Sequence, residues 1–367
     1  MRVVSLDLRD FRSYTNVRIL LGEGLTVVFG PNGAGKTNLL EGLYFGCTGR
    51  SCRTTNEREV VRFGAATTRV LVEADAEDGP HQTAVGFTPG QAKRLQVDGA
   101  NVERLLDAPT RPLVSVFMPD RLELIKGPPA SRRAHADQLT AALWPARRGV
   151  RRAYGQALAQ RNALIARIRA GRGSREALAS WDLQLARTGI ELMGERRRSI
   201  EAVAELTERT GGALGLEPEL TLAYRPRSRA DAVEGLLDEL RARVEGDIER
   251  GFTGHGPHRD ELSLLLDGHE LRNFGSQGQQ RVALLALLLA EREVIAAQRG
   301  APPVMLLDDV MSELDAVRRE ALVDLLREAP GQAVITTTDL DHVPGATEAS
   351  VVRIAVAAGG VLEEARV

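Results

Sequence analysis

The sequence predicts an α/β protein whose core is interrupted by an inserted helical lobe. Short β-branched and aromatic runs crowd the first 120 residues, and one of them, Leu25–Phe29, leads through a glycine-rich loop into an apolar helix-spaced stretch over 38–45. From about 131 to 209 the texture becomes long, Ala/Leu/Arg-rich and helical. Strand texture then returns, and an apolar run over 303–307 ends in two carboxylates, Asp308 and Asp309. The expected division is 1–120 for the first part of the α/β core, 121–250 for the lobe and 251–367 for the rest of the core.

Taken in order, strands are expected at 3–8, 17–20 and 25–29, with a polar and aromatic turn from Asp10 to Tyr14 between the first two. Further strands are expected at 69–74, 82–87, 94–97 and 113–118, with turns at Asp78-Gly79-Pro80 and Asp98-Gly99. In the lobe, helices over 153–169 and 175–193 flank a hinge at 171–174, and Trp144-Pro145 breaks the run before them. A strand at 220–224 and a helix over 231–250 complete it, and the absence of sustained heptads argues against a long coiled-coil arm. The C-terminal part reads as a strand at 261–266, a turn at Asp267-Gly268 and a helix over 277–298. It continues as a strand at 303–307, a helix over 312–328 and a strand at 333–337.

A length of 367 residues suggests roughly two domains, and the composition is that of an ordinary soluble protein. Cys47 and Cys52 are too few for a disulfide framework or a zinc site, which points to a reducing compartment. The N-terminus lacks the apolar core of a signal peptide, and the most apolar segment, 282–290, is far short of a membrane span. A cytoplasmic protein with no membrane role is expected. The net charge of −2 hides an asymmetry: residues 121–200 hold 17 Lys/Arg against 6 Asp/Glu, whereas 201–250 hold 7 against 12. Such a field suits a polyanionic partner, or else reflects arginine-rich solvated helix faces.

The loop itself reads GPNGAGKT and fits G-x-x-x-x-G-K-[ST] between a strand and a helix. Gly30, Pro31, Asn32, Gly33, Ala34, Gly35, Lys36 and Thr37 are therefore expected to bind a nucleoside triphosphate. Backbone N–H groups would ring a phosphate, Lys36 would reach the β/γ-phosphates and the Thr37 hydroxyl would ligate Mg²⁺. Only three lysines stand among 45 arginines, and one of them is here, where a compact ammonium is needed. Asp308 would hold Mg²⁺ opposite Thr37, and Asp309 would polarise an attacking water. Ser276, Gly278 and Gln279, ahead of the apolar helix, form either a second phosphate site, used in trans across a two-fold dimer, or a capping box.

GPNGAGKTNLLE, GSQGQQR and LLDDVMSELD together resemble an ABC-type ATPase head, in which they are Walker A, the signature loop and Walker B with the D-loop, here Ser312 to Asp315. Finer marks are Leu8 to Tyr14, Pro119-Asp120, Lys126-Gly127, Ser131-Arg132-Arg133, residues 253–260 and residues 335–339. With the length and the missing coiled coil, they make the chain similar to the RecF family of bacterial recombination mediators over essentially its whole length. The resemblance implies ATP with Mg²⁺, an ATP-dependent homodimer on duplex DNA and single-strand–duplex junctions, and weak DNA-stimulated hydrolysis. It also implies RecR and RecO as partners in loading RecA. It places Arg12 and Ser13 around the nucleotide, where the residues alone also allow a solvated turn.

The chain departs from the ABC pattern in three places. No glutamine stands at the end of 114–121; Thr337-Thr338-Asp339 replaces a switch histidine; and Asp309 stands where most heads have glutamate. Thr338 can hydrogen-bond a γ-phosphate without carrying charge, and the shorter Asp309 holds water less well, so turnover well below about 1 s⁻¹ is expected.

Arg132, Arg133, Arg147, Arg148, Arg151 and Arg152 are the expected DNA contacts; they would grip phosphates, with salt-sensitive and nearly sequence-blind binding. Trp144 and Tyr154 either stack on bases or pack in the core. His255 and His258, without a third ligand in view, suit a structural or DNA-facing loop better than a metal site. A transporter motor ATPase shares the three motifs but needs only a short helical subdomain, whereas about 240 residues separate Walker A from the signature here. A chromosome-structuring head would need long heptad arms, and a small-molecule kinase would not need the signature loop.

Overall fold

Leu6 and Leu8 of β1 (Arg2–Phe11) are fully buried while Arg9 is exposed, the alternation of an antiparallel sheet with one covered face. The chain continues through β2 (Tyr14–Leu20), β3 (Leu25–Phe29), α1 (Lys36–Thr48), β4 (Thr68–Ala76), β5 (Gly79–Phe87), β6 (Arg94–Val97), β7 (Ala100–Asn101) and β8 (Val114–Phe117). It then turns helical: α2 (Glu123–Lys126), α3 (Pro129–Leu143), α4 (Arg148–Arg169) and α5 (Leu178–Ala213). After these come β9 (Leu220–Arg225), α6 (Val233–Ala242), α7 (Val244–Arg250), β10 (Glu261–Leu266), β11 (His269–Glu270), α8 (Leu271–Phe274) and α9 (Gln277–Arg299). The last elements are β12 (Val304–Leu307), α10 (Ala316–Glu328), β13 (Ala333–Thr337), β14 (Val352–Ala357) and β15 (Gly360–Ala365). The computed structural model describes residues 1–118, 122–217, 219–357 and 360–365. Pro119 and Asp120, which stand where a glutamine was sought, lie outside them.

Two compact units result, Met1–Arg121 with Ile295–Val367, and Leu122–Val294. The first holds two six-stranded sheets, one antiparallel in the order β2-β1-β4-β5-β6-β7 and one in the order β15-β14-β3-β13-β12-β8. In the second sheet all neighbours run parallel except β15. Helix α1 joins both: Leu39, Leu40, Leu43 and Phe45 share one core with Leu8, Val70 and Val72 of the antiparallel sheet and with Val28, Leu306 and Val334 of the parallel one.

The other unit is built on α4 and α5. Val150, Tyr154 and Ala157 pack against Leu185, Ala186 and Leu192, with Leu236 and Leu240 of α6. Helix α5 has 36 residues, which makes it about 54 Å long. Arg161 is fully buried and held by Asp182, Asp247 and Thr253, each at 2.7 Å, so its charge is paired where water cannot reach it.

Five features differ from the sequence reading, the first being that the helix expected over 175–193 runs on to Ala213 as α5. The boundary expected at 250/251 falls at 294/295, because β10 pairs antiparallel with β9 from Glu261↔Arg225 to Leu266↔Leu220 and ties the following segment to the helices. The helix expected over 231–250 breaks at Arg243 into α6 and α7. That expected over 312–328 starts at Ala316, where Asp315 caps it by accepting from the Arg318 N–H at 2.9 Å. Strands β14 and β15 were not foreseen. Among the described residues no helix is long and apolar enough to cross a membrane.

Gly42 and Gly46, one helical turn apart on α1, let the antiparallel sheet approach. A Cβ on Gly42 would lie 2.6 Å from Leu8, and one on Gly46 would lie 2.5 Å from Val72 and 2.9 Å from Val70. Gly46→Ala would gain about 1 kcal/mol of helix propensity against overpacking of about 1–3 kcal/mol. The expected outcome is a lower thermal midpoint by differential scanning fluorimetry; an unchanged or raised midpoint would show that the interface has slack.

Candidate nucleotide site

Strand β3 is buried through Leu25, Thr26, Val27 and Val28 and enters the loop at Gly30. Gly30, Gly33 and Gly35 have φ of 152°, 78° and 112°, values that favour residues without a Cβ. At Gly30 a Cβ would lie 2.1 Å from the Val356 carbonyl oxygen of β14, so only glycine fits. The Tyr14 hydroxyl, buried beneath the loop, donates to the Gly35 carbonyl at 3.0 Å, and burial pushes its pKa up, which keeps it a donor. Lys36 is buried, with Nζ donating to the carbonyls of Gly30 at 2.7 Å and Pro31 at 3.0 Å. Burial lowers its pKa, while Asp309 and Asp308 oppose the shift.

The parallel register sets Leu307 of β12 beside Ile335 of β13, so the next pair is Asp308 and Thr336. The Thr336 hydroxyl donates to Asp308 Oδ1 at 2.7 Å and accepts from the Asp309 N–H at 2.9 Å. From the loop side, Thr37 Oγ1 lies 3.0 and 2.9 Å from the two Asp308 carboxylate oxygens. Asp308 is buried, which raises its pKa, and the two hydroxyls only partly oppose that. A buried carboxylate that receives hydroxyls and no ion pair among the described residues, next to a threonine oxygen, is a hard oxygen donor set that fits Mg²⁺. Asp309 has φ 45°, a left-handed conformation that costs a non-glycine residue energy and recurs at functional sites. The Ser312 hydroxyl donates to its Oδ2 at 2.8 Å.

On the other flank, Arg12 donates from Nε and Nη2 to Glu41 of α1 at 2.8 and 2.7 Å. Glu41 is fully buried and also accepts from Ser51 at 2.6 Å and Arg53 at 3.3 Å. Arg53 reaches Asn38 Oδ1 at 2.9 Å, and Asn38 Nδ2 donates to Ser13 Oγ at 3.0 Å. The turn carrying Arg12 and Ser13 is thus brought to the glycine-rich loop, with the Arg12 guanidinium engaged by Glu41. No role was assigned from the sequence to Tyr14, Glu41, Arg53 or Thr336, although all but Arg53 lie within the stretches that carry the resemblance. Glu41 also left a physical signal there: a lone acid among apolar residues at core-facing helical spacing has to find a cationic partner.

Residues 5–98 match a family described as an AAA domain. The RecF DNA replication and repair protein of Anaeromyxobacter sp. (strain Fw109-5) is 42% identical over 352 residues, covering 92% of this chain and 93% of that protein. The chain belongs to the RecF family. A solved structure of the recombination mediator protein RecF–ATP of the RecFOR pathway superposes with a TM-score of 0.85 at 25% identity, covering 99% of this chain and 97% of that one. An Smc head bound to the C-terminal winged-helix domain of ScpA shares the fold, with a TM-score of 0.62 at 17% identity, covering 100% of this chain and 98% of that one. The RecF fold here is therefore the α/β ATPase head that the three motifs resemble.

The remaining candidates divide. Ser276 is exposed, and its hydroxyl accepts from the Gln279 N–H at 3.2 Å while Gln279 Oε1 accepts from the Ser276 N–H at 2.8 Å; this is a formed capping box at the start of α9, with Gly278 inside it. Arg132 corrects the DNA-contact expectation. It is 3% exposed, forked onto Glu261 at 2.6 and 2.9 Å and donating to the carbonyls of Ile125 and Gly127, so no phosphate can reach it. Arg133 is half-buried and donates to the Asp260 carbonyl at 2.8 Å. Arg147 pairs with Glu191 and Glu195, and Arg151 with Asp137. Arg148 is half-buried, and Arg152 is exposed without an ion pair among the described residues. Tyr154 is a core residue hydrogen-bonded to His258 at 2.7 Å, Trp144 is half-buried, and His255 is held by Glu239. Thr338 is exposed one residue past β13 and makes no hydrogen bond to Asp308 or Asp309.

Two outcomes are expected. Lys36→Met should abolish ATP binding by calorimetry, and retained affinity would remove Lys36 from the phosphate site. Thr336→Val keeps the side-chain shape but deprives Asp308 of a donor and the Asp309 N–H of an acceptor, a loss of about 1–3 kcal/mol. It should raise the Mg²⁺ concentration needed for half-maximal ATP hydrolysis; an unchanged Mg²⁺ midpoint would make Thr336 a packing residue.

Proposed function

We propose that this RecF-family chain is an ATP-driven switch of recombinational DNA repair. In this reading it dimerises with ATP on DNA, engages duplex and single-strand–duplex junctions, and works in the cytoplasm with RecR and RecO to promote RecA loading. The observation that carries the reading is the Thr37–Asp308 contact, which joins the glycine-rich loop to the strand-end carboxylates across 271 residues of sequence. The likeness to RecF–ATP and to proteins of DNA replication and repair supports the nucleotide and the pathway.

In this reading the loop N–H groups and Lys36 hold the phosphates, and Lys36 exchanges its bonds to the Gly30 and Pro31 carbonyls for phosphate oxygens. Thr37 and Asp308 would hold Mg²⁺, which when bound supplies positive charge against the β- and γ-phosphates. Asp309, fixed by Ser312 and by its own N–H on Thr336, orients the attacking water and accepts its proton. Thr338 offers a neutral hydroxyl to the γ-phosphate, and Ser276, Gly278 and Gln279 close the site of a second subunit. A short acid and a neutral switch residue make turnover slow, as suits a timer rather than a motor.

Fluorescence anisotropy of a labelled gapped duplex should show tight binding in ATP and weak binding in ADP or without nucleotide. Equal binding in all three would overturn the switch. Ser276→Arg should bind ATP with normal affinity yet sediment as a monomer, and an ATP-dependent dimer of that variant would overturn the trans role.

A further inference from the structure

The arginines expected to meet DNA lie on the helices, yet several of them are consumed by acids. On the antiparallel sheet the situation is the reverse. Register places Arg9 opposite Arg69, Arg69 opposite Gly86, and Gly86 opposite Arg94, so three guanidinium side chains share one row on the face turned away from the core. All three arginines are exposed, while their strand neighbours Leu8, Val70 and Val85 are buried. Gly86 leaves the row open between Arg69 and Arg94 and lies beside the Arg94 Cβ.

None of the three forms an ion pair among the described residues. Glu73 on the same face is taken by Arg18 and Ser5, and Asp7, one row along opposite Leu71 and Arg18, pairs with none of them. Like charges directly opposite each other on a sheet are destabilising, so Arg9 facing Arg69 is a local cost without a local return. At about 4.8 Å per strand, the three spacings from β1 to β6 make the row about 14 Å long, a length over which duplex DNA carries about eight phosphate charges.

One end of the row carries an aromatic residue. Phe63 is 98% exposed in the loop between Val61 and Thr68. Arg62 pins the start of that loop to Asp10 through its N–H at 2.8 Å and its Nε at 2.7 Å, and the Thr68 hydroxyl pins the end to the Arg9 carbonyl at 2.9 Å. The ring is therefore exposed on a short loop whose two ends are pinned next to Arg9 and Arg69.

We propose that Arg9, Arg69 and Arg94 form a phosphate-binding row for the DNA backbone, with Phe63 at its end stacking on an unpaired base. This rests on the DNA-binding reading above and names the surface that performs it. Guanidiniums in a row recognise backbone without sequence, and an exposed ring selects unstacked bases, which together suit a single-strand–duplex junction.

The test is anisotropy in ATP with a blunt duplex and a gapped duplex over a series of salt concentrations, for the wild type, the triple variant Arg9→Gln/Arg69→Gln/Arg94→Gln, and Phe63→Ala. The triple variant should flatten the slope of log K against log salt by about 2–3. It should keep its ATP affinity and unfold no earlier than the wild type, since a like-charge pair is removed. Phe63→Ala should weaken gapped DNA about tenfold and leave the blunt duplex unchanged. Wild-type binding with an unchanged slope in the triple variant would overturn the row, and equal loss on both DNAs in Phe63→Ala would overturn the stacking. No DNA binding by the wild type would instead overturn the functional reading beneath it.

Discussion

A buried carboxylate is expensive, and the first unit is arranged around one. Asp308 sits at the end of a fully buried strand, held by hydroxyls from Thr37 and Thr336. Two hydroxyl hydrogen bonds offset only part of the desolvation of a charge, which is why its pKa is raised. The negative charges of Asp309 and Asp308 pull against the loss of charge that burial imposes on Lys36.

The geometry that brings these groups together comes from the core. Parallel pairing of β13 with both β3 and β12 sets Thr337 beside Phe29 and Ile335 beside Leu307, so the glycine-rich loop and the acidic strand end emerge together. Helix α1 then has to lie between two sheets, and Gly42 and Gly46 remove the side chains that would hold the antiparallel sheet away. Close approach in turn delivers Tyr14 beneath Gly35 and Arg12 to Glu41. The contacts that exclude water from the core are thus the ones that position the loop.

Charge in the helical unit works differently. Arg161 and Arg196 are nearly inaccessible and are surrounded by Asp182, Asp247, Asp137 and Asp260. Removing one partner from such a set leaves a buried charge uncompensated, so these arginines specify how the helices and the 253–260 loop fit rather than what they bind. A surplus of arginine in a sequence window therefore measures potential charge, and accessible charge depends on which acids the fold brings alongside.

The sequence by itself determined what neighbouring residues encode. The glycine-rich loop between strand and helix, the carboxylates ending an apolar strand, the break at Trp144-Pro145, the hinge near 171–174 and the Ser276–Gln279 cap are all written within a few residues. Backbone propensity and side-chain-to-backbone bonds act over that range, so a single sequence shows them. Tertiary structure alone decided that Thr336 serves Asp308, that Glu41 gathers Arg12 and Arg53, that residues 251–294 fold with the helices, and that Arg132 is spent on Glu261 while Arg9 and Arg69 face each other without an acid. Each of those outcomes depends on strand register or on pairing between residues far apart along the chain, and register is set by the packing of the whole sheet rather than by the residues that meet in it.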